Sequence, residues 1–384
     1  MSDQDTGHHV DPPGYGARPP LKDDGDKVKS SVLGIVAAVT LPFVLLAVFY
    51  GAFLILRDSD INRLLIVALA LLIGVAGVFA LYWVMNYSID HLPERLRVRV
   101  RPWAFVGPAL VFLSLYLVYP AINTVIISFK DSTSDGFVGF DNYVFVFTDE
   151  AMLRSIRNTL GWIIVVPAVS VGIGLAFAVL VDKLRRGEAV AKSLIFLPMA
   201  ISFVAASIVW RFVYSFRPEG FGEQIGLLNS IWMGLGNDPV AWLLLEPWNN
   251  LLLMVIMIWL QTGFAMVILS AAIKGVPADI IEASRIDGAN EFQVFRRITI
   301  PSILSTIVVV MTTAIITVMK VFDIVWVMTN GEFGTEVIAE RMIRWFFRFG
   351  NNGRGAAIAV VLFVAIIPVM VFNVKRFKAE EAIR

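Results

Sequence analysis

The 384-residue chain has no cysteine, which removes thiolate catalysis, disulfides and cysteine-ligated metal sites together and leaves the redox compartment undetermined. Histidine is nearly missing too. The three are His8, His9 and His91, too few and too scattered for an imidazole metal site or an intramembrane proton relay. Charge is scarce, at 16% of residues, and nearly balanced at a formal +1, so no bulk attraction to nucleic acid is available. No Gly-x-x-x-x-Gly-Lys-Ser/Thr loop occurs, so a nucleotide would have to bind on another chain. Gly172 and Gly174 lack the third glycine and the preceding strand of a dinucleotide fold, and close helix packing accounts for them better.

What is present is apolar. A chain that is 58% hydrophobic reads as a polytopic membrane protein, with an all-α integral membrane fold of about eight transmembrane helices. Residues 31–56, 64–85, 104–129, 159–181, 193–216, 251–272, 303–329 and 355–373 are each about 20 residues or longer, enough to cross roughly 30 Å of hydrocarbon at 1.5 Å per residue. Residues 1–30 have no hydrophobic periodicity and suit a mobile tail, and the first apolar run starts too far from Met1 for a cleavable signal peptide. The organisation expected is a tail at 1–30, two leading helices and a basic loop at 31–102, a six-helix core at 103–373 and a closing tail at 374–384.

Basic residues orient these spans. Arg95, Arg97, Arg99 and Arg101 fall in the loop 86–103, and Lys183, Arg185, Arg186 and Lys192 in the loop 182–192. The segment after 373 is basic as well, so all three are expected on the cytoplasmic side, together with both termini. The loop 273–302 then also lies inside, while 130–158 and 217–250 lie outside. The segment 330–354 disagrees, because it must be external yet carries Arg341, Arg344, Arg348 and Arg354. An amphipathic helix at 336–349 lying against the outer face, broken by Gly350, Gly353 and Gly355, reconciles it.

The loop 273–302 is long and charged for a connection between apolar spans, and its local chemistry spells two helices and a turn. Pro277 suits a first helical position, and Asp279 and Glu282 place carboxylates near the positive dipole end. Gly288 is placed for a left-handed C-terminal cap. Asn290 and Gln293 have capping-box spacing for a second helix, whose Phe292, Phe295 and Ile298 fall on one face before Pro301. Asp287, at the unfavourable negative end of the first helix, is expected to bond across the turn. By pattern alone the hairpin is equally an interfacial helix on lipid headgroups.

The run Glu282–Ala283–Ser284–Arg285–Ile286–Asp287–Gly288–Ala289, with Phe295, Ile298 and Pro301, resembles the cytoplasmic EAA loop of permease subunits of ABC importers, with Ser284 where alanine is usual. Pro108, Pro120, Gly139–Phe140–Asp141–Asn142–Tyr143, Phe196–Leu197–Pro198 and Trp210–Arg211 resemble the maltose and α-glucoside type of that family, and the likeness covers about 280 residues of the last six spans. The resemblance implies an inner-membrane permease of a prokaryotic cell that works with a second permease in a heterodimer, two ATPase subunits and an extracellular solute-binding protein. It further implies that ATP and magnesium bind only on the ATPase subunits, so the chain needs no cofactor or metal of its own. Glu282, Ala283, Asp287, Gly288 and Ala289 would dock the ATPase, with Phe295 and Pro301 completing the loop. The short 130–157 segment excludes the large external insertion of the best-known maltose permease.

Polar residues at membrane depth mark either a water-filled path or helix packing. Thr306, Thr313, Thr317 and Lys320 share one helical face, with Asp323 three residues on, close enough to neutralise the lysine. Gln261 stands mid-span, with Thr262, Met266 and Ser270 at steps of four and Trp259 and Phe264 beside it. Amides, hydroxyls and aromatic planes suit an uncharged sugar, so Gln261, Thr262, Phe264, Thr313, Thr317, Lys320 and Asp323 are candidates for the substrate path. The alternatives are a glutamine bridging two helices, threonines bonding their own backbone and a snorkelling interfacial ion pair. The expected cargo is an oligosaccharide, an α-glucoside such as maltose or trehalose. A glycerol-phosphate or polyamine importer is the near alternative, and a membrane-embedded enzyme, needing clustered His, Asp or Ser, the remote one.

Overall fold

The computed structural model describes residues 32–381 apart from residues 59–61, 93 and 185. The segment 1–30 with His8 and His9, the basic residue Arg185 and the last three positions lie outside the described residues. Contacts divide the chain into two units, Met1–Tyr119 and Pro120–Arg384.

In the first unit, α1 (Val32–Arg57) packs along α2 (Arg63–Asp90), and α2 meets the start of α3 (Glu94–Ile127) where the Tyr82 and Phe105 rings lie 5.6 Å apart. The arginines at 95, 97, 99 and 101, expected in a loop, sit in the first turns of α3. The helix outruns its apolar window because arginine is a good helix former and Glu94 favours the first turn.

The second unit is built on α5 (Glu150–Asp182) and α9 (Trp248–Lys274), which make its most extensive helix contact and run in the same direction. Gly174 lets them approach: a Cβ there would lie 2.6 Å from Ala265 Cβ, whereas Gly172 faces open space. Three further helices lie along the chain between and beside them: α4 (Asp141–Thr148), α6 (Glu188–Ala200) and α7 (Phe203–Val213). A short helix, α8 (Leu227–Gly234), precedes α9. Beyond α9 come α10 (Ala278–Ile286), α11 (Glu291–Ser302), α12 (Leu304–Met319), α13 (Asp323–Thr329), α14 (Ile338–Ile343) and α15 (Asn352–Glu381). Six of the described helices are long and apolar enough to cross a membrane, or up to eight if the bent pairs α6–α7 and α11–α12 each count as one span.

Two of the expected spans are broken. The run 193–216 bends by 101° between α6 and α7. Pro198 tightens the end of α6 into a 3-10 turn, Ile201 is extended, and the Ser202 hydroxyl caps α7 by accepting from the Ala205 N–H at 3.2 Å. The run 303–329 stops at Met319, and a new helix starts at Asp323, whose carboxylate favours a first turn. The β-branched run before Lys320 has weak helix propensity, so the interruption costs little there.

Within the segment 330–354 the helix expected at 336–349 forms over residues 338–348, but packed into the bundle rather than lying on a surface. Helix α14 and the wide turn Arg344–Arg348 pack against α15 and α5, with Ile338, Ala339, Glu340 and Arg344 buried. Arg344 donates to Glu340 at 2.6 Å and to Glu332 at 3.0 Å, and also to the Asn330 carbonyl. Arg354 stacks on the Phe145 and Trp345 rings at 4.1 and 4.8 Å, and Arg341 stands 3.9 Å from Asp149. These partners explain why arginine is tolerated where the positive-residue count disfavours it. The helix does end before the last span, at Gly350 with φ +61, whereas Gly353 and Gly355 lie inside α15; Gly353 abuts the Lys130 carbonyl and Gly355 the Phe346 ring.

Asparagines close the same end of the bundle. Asn158 donates to the carbonyls of Gly334 and Glu336 at 2.8 and 2.9 Å, Asn250 to Gly334 at 3.0 Å and Asn249 to Phe333 at 2.7 Å. Asn229 bonds Ser215, both sides of Val240 and the Trp242 indole. Burial pushes the Glu340 carboxyl up while the Arg344 guanidinium opposes it. Arg344→Met should therefore strand a buried carboxylate and cost about 3 to 5 kcal/mol, visible as a fall in the midpoint of thermal unfolding in detergent. Arg348→Met, at an exposed residue with no bond among the described residues, should leave the midpoint unchanged, and equal midpoints for the two variants would contradict this account.

Candidate functional site

The loop 273–302 folds as its local chemistry requires. Helix α10 starts directly after Pro277, one residue later than expected, and ends in a Schellman motif: the Ala289 N–H donates to Ser284 at 3.0 Å and the Gly288 N–H to Arg285 at 3.1 Å. Gly288 takes the left-handed conformation, with φ +86. Asn290 and Gln293 form a reciprocal capping box, each bond 2.9 Å long.

Two local expectations fail. Asp287 makes no side-chain bond across the turn; Arg285 does, gripping Glu291 through both carboxylate oxygens at 2.9 and 3.2 Å, which also pushes the guanidinium pKa further up. Of the expected apolar face, Phe295 and Ile298 are half-buried but Phe292 is not, and a wide turn at Phe295–Thr299 interrupts the regular helix. Val294 and Thr299 are buried, while Phe292 is 68% exposed.

Exposure sorts the loop residues by task. Glu282, Ala283, Asp287 and Gly288 are exposed, together with Ile280, Phe292 and the 86%-exposed Ile286. Ser284 is buried and its hydroxyl returns to the Ile281 carbonyl at 2.7 Å, so the residue that departs from the family pattern faces inward. Ala289 and Phe295 are half-buried, and Pro301 is exposed just before the 67° bend into α12. Ile281, Val276 and Ile303 pack into one apolar cluster with Val181, Ala191, Leu269 and Val310. The loop is thus an exposed plate of acid and apolar side chains seated on the ends of α5, α6, α9 and α12.

A second site lies at the bend between α6 and α7. Met199 and Phe203 from its two sides, Leu260, Gln261 and Phe264 from α9, and Thr313 and Thr317 from α12 line a cavity of about 270 Å³. Four path candidates, Gln261, Phe264, Thr313 and Thr317, meet here. The Gln261 amide has no hydrogen-bond partner among the described residues, so it bridges no pair of the described helices. Thr313 and Thr317 donate to Val309 and Thr313 carbonyls at 2.9 Å, which leaves their oxygens to accept.

Three candidates lie elsewhere. Thr262 faces away and is buried, donates to Ile258 at 2.7 Å, and lines a larger apolar cavity of about 480 Å³ with Trp210 and Trp259, whose rings meet edge to face. Lys320 is exposed at the end of α12 and Asp323 opens α13; no ion pair joins them, because the helix break rotates the two residues onto separate elements. Met199 and Phe203 carry no polar signal. The interruption after Pro198 was the available clue, since broken helices mark binding sites in carriers.

Among the described residues no charged side chain lines the 270 Å³ cavity. Its amide, hydroxyl oxygens and phenyl rings can bond and stack on a neutral polyhydroxylated solute, and offer neither a cation for phosphate nor a carboxylate for an amine.

Residues 168–376 match the family described as binding-protein-dependent transport system inner membrane component. The osmoprotective compounds uptake permease protein GgtC of Synechocystis is 60% identical over 280 residues, covering 73% of this chain and all of the relative. The alpha-glucoside transport system permease protein AglF of Rhizobium meliloti is 46% identical over 333 residues, 83% of this chain and 98% of the relative. In structure, the chain matches a bacterial ABC transporter that imports the acidic polysaccharide alginate, with TM-score 0.64 and 22% identity over 73% of this chain and 97% of that one, a likeness of fold.

An added Cβ at Gly288 would meet nothing within 4 Å, so alanine there is opposed only by the left-handed backbone. Gly288→Ala should cost about 1 to 2 kcal/mol locally and speed exchange of the Ala289 amide by about 5- to 30-fold. Unchanged exchange would show that the turn does not depend on this conformation.

Proposed function

The chain belongs to the family of inner-membrane components of binding-protein-dependent transport systems, and from that premise we propose that it forms the translocation path for an uncharged oligosaccharide of the α-glucoside class. ATP hydrolysis on a separate subunit drives the movement through the loop 273–302. The observation that carries the cargo class is the cavity at the broken span, where an unpartnered amide, two hydroxyl oxygens and aromatic rings converge without a charge. The names of the relatives support it. One takes up osmoprotective compounds and another α-glucosides, and a glucoside osmolyte such as trehalose satisfies both. A glycerol-phosphate or polyamine cargo is disfavoured by the same lining.

The exposed Glu282, Ala283, Asp287 and Gly288 supply the docking face for the ATPase, and the apolar seat beneath them couples docking to the spans. A second permease subunit, two ATPases and an extracellular binding protein complete the assembly in this reading. The loops 182–192 and 273–302 then face the cytoplasm, where the ATPases are, as do both termini. In the path, Gln261 bonds water when the cavity is empty and a sugar hydroxyl when it is loaded.

Gln261→Leu removes that bond, worth roughly 1 to 2 kcal/mol, so the KM of uptake per assembled transporter should rise several-fold to about thirtyfold for maltose or trehalose. Assembly should be unaffected, because the amide joins no helices of this chain. Uptake of a panel of disaccharides by wild-type and variant transporters measures both effects. A normal KM with reduced complex yield would place the path elsewhere.

A further inference from the structure

Beside the docking loop, the spans that carry it end in a knot of charge that neither the path nor the docking face uses. Asp182 closes α5, Glu188 and Lys192 stand one turn apart in α6, and Ser270 and Lys274 end α9. Lys192 Nζ lies 2.7 Å from Asp182 and 2.8 Å from Glu188, and also contacts the Ser270 hydroxyl. That hydroxyl donates to the same Asp182 oxygen, Oδ1, at 2.7 Å. One carboxylate oxygen therefore holds three helices together.

The arrangement is unlike a solvated surface pair. The Asp182 side chain is 12% exposed and Lys192 21%, so their attraction is screened less than that of exposed ions. Each is followed or preceded by a residue of the apolar seat: Val181 precedes Asp182, Ala191 precedes Lys192, and Leu269 and Ile273 flank the α9 members. Since Ile281 and Val276 of the docking loop pack into that same seat, a displacement of the loop reaches the ion cluster without an intermediate element.

The cluster also has room for a second arrangement. Asp182 Oδ2 is buried without a partner among the described residues, which is costly for a carboxylate oxygen. Lys274 is half-exposed, bonded to Glu188, and 3.8 Å from Asp182 Oδ1. A small shift of the end of α9 would bring its ammonium to the free oxygen and release Glu188. Two discrete pairings of one lysine are the kind of element that passes motion on in steps.

We propose that Asp182, Lys192 and Ser270 are positioning residues that transmit displacement of the loop 273–302 to α5, α6 and α9, with Lys274 exchanging between Glu188 and Asp182 as the transporter moves. This rests on the permease reading above. The test uses the assembled transporter in lipid vesicles, with ATP hydrolysis measured with and without binding protein loaded with maltose or trehalose. In the unaltered complex the loaded binding protein should stimulate hydrolysis; absence of stimulation would overturn the permease reading and this joint with it.

Given stimulation, Lys192→Met and Ser270→Ala should each lose about tenfold of the stimulated rate while basal hydrolysis is kept, and Lys192→Arg should restore most of it. Ser270→Ala removes a single oxygen, so it decides the matter if Lys192→Met assembles poorly. Normal stimulation in Ser270→Ala and Lys192→Met, or an arginine variant as impaired as the methionine one, would overturn the proposal.

Discussion

In hydrocarbon no water is available to a backbone or side-chain polar group, so each must be paired inside the protein or face a wet cavity. That constraint orders the second unit. At one end, Asn158, Asn229, Asn249 and Asn250 take up the carbonyls of irregular segments, and Arg344 ties Glu340 to Glu332 and the Asn330 carbonyl. At the other, Lys192 and Ser270 both bond Asp182 Oδ1, joining three helices, while Oδ2 is left over. Between them the helices are joined by apolar contact and by the close approach at Gly174. The Gln261 amide, which has no partner among the described residues, faces a cavity, and an unpaired amide in such surroundings is reasonable where solvent or solute replaces the missing bond.

The same logic separates the two faces of the loop 273–302. Its inner face is buried by hydrophobic packing of Val276, Ile281 and Ile303, and the buried Ser284 hydroxyl bonds its own helix. Its outer face exposes Ile280, Ile286 and Phe292 beside Asp279, Glu282 and Asp287. Exposed apolar side chains rimmed by charge on a helix whose C-terminal turn runs straight into a capped second helix suit an interface, and the rigidity of the Schellman turn and capping box lets force pass through them. In the proposed function the ATPase covers this face.

Much of this was legible because it is local. The caps at Gly288 and at Asn290–Gln293 follow from side-chain chemistry over a few residues, and the number of apolar runs follows from hydropathy. The breaks at residues 201–202 and 320–322 were not legible, because the apolar average continues across them and only Pro198, Ser202 and the placement of Asp323 hint at a stop. On α11 only Phe292 was misplaced: Val294 and Thr299 take the buried positions, and hydropathy alone does not tell Phe292 from Val294. Arg285–Glu291 and the buried Arg344–Glu340 pair depend on which elements meet, which spacing along the chain does not encode. Gln261, Phe264, Thr313 and Thr317 could be chosen as polar or aromatic residues at depth, yet Thr262, Lys320 and Asp323 met the same criterion and lie elsewhere.

The claim on which the rest turns is that the outer face of α10 is seated on an ATPase subunit. The chain's lack of cysteine makes a direct measurement possible: Ala283→Cys, Ser284→Cys and Ile286→Cys, taken singly, with short-range cross-linking to the ATPase in the assembled transporter. The account predicts strong cross-links from positions 283 and 286, which are exposed, and little from 284, which is buried one residue away. Absence of cross-links at 283 and 286, or equal yield at all three positions, would contradict it.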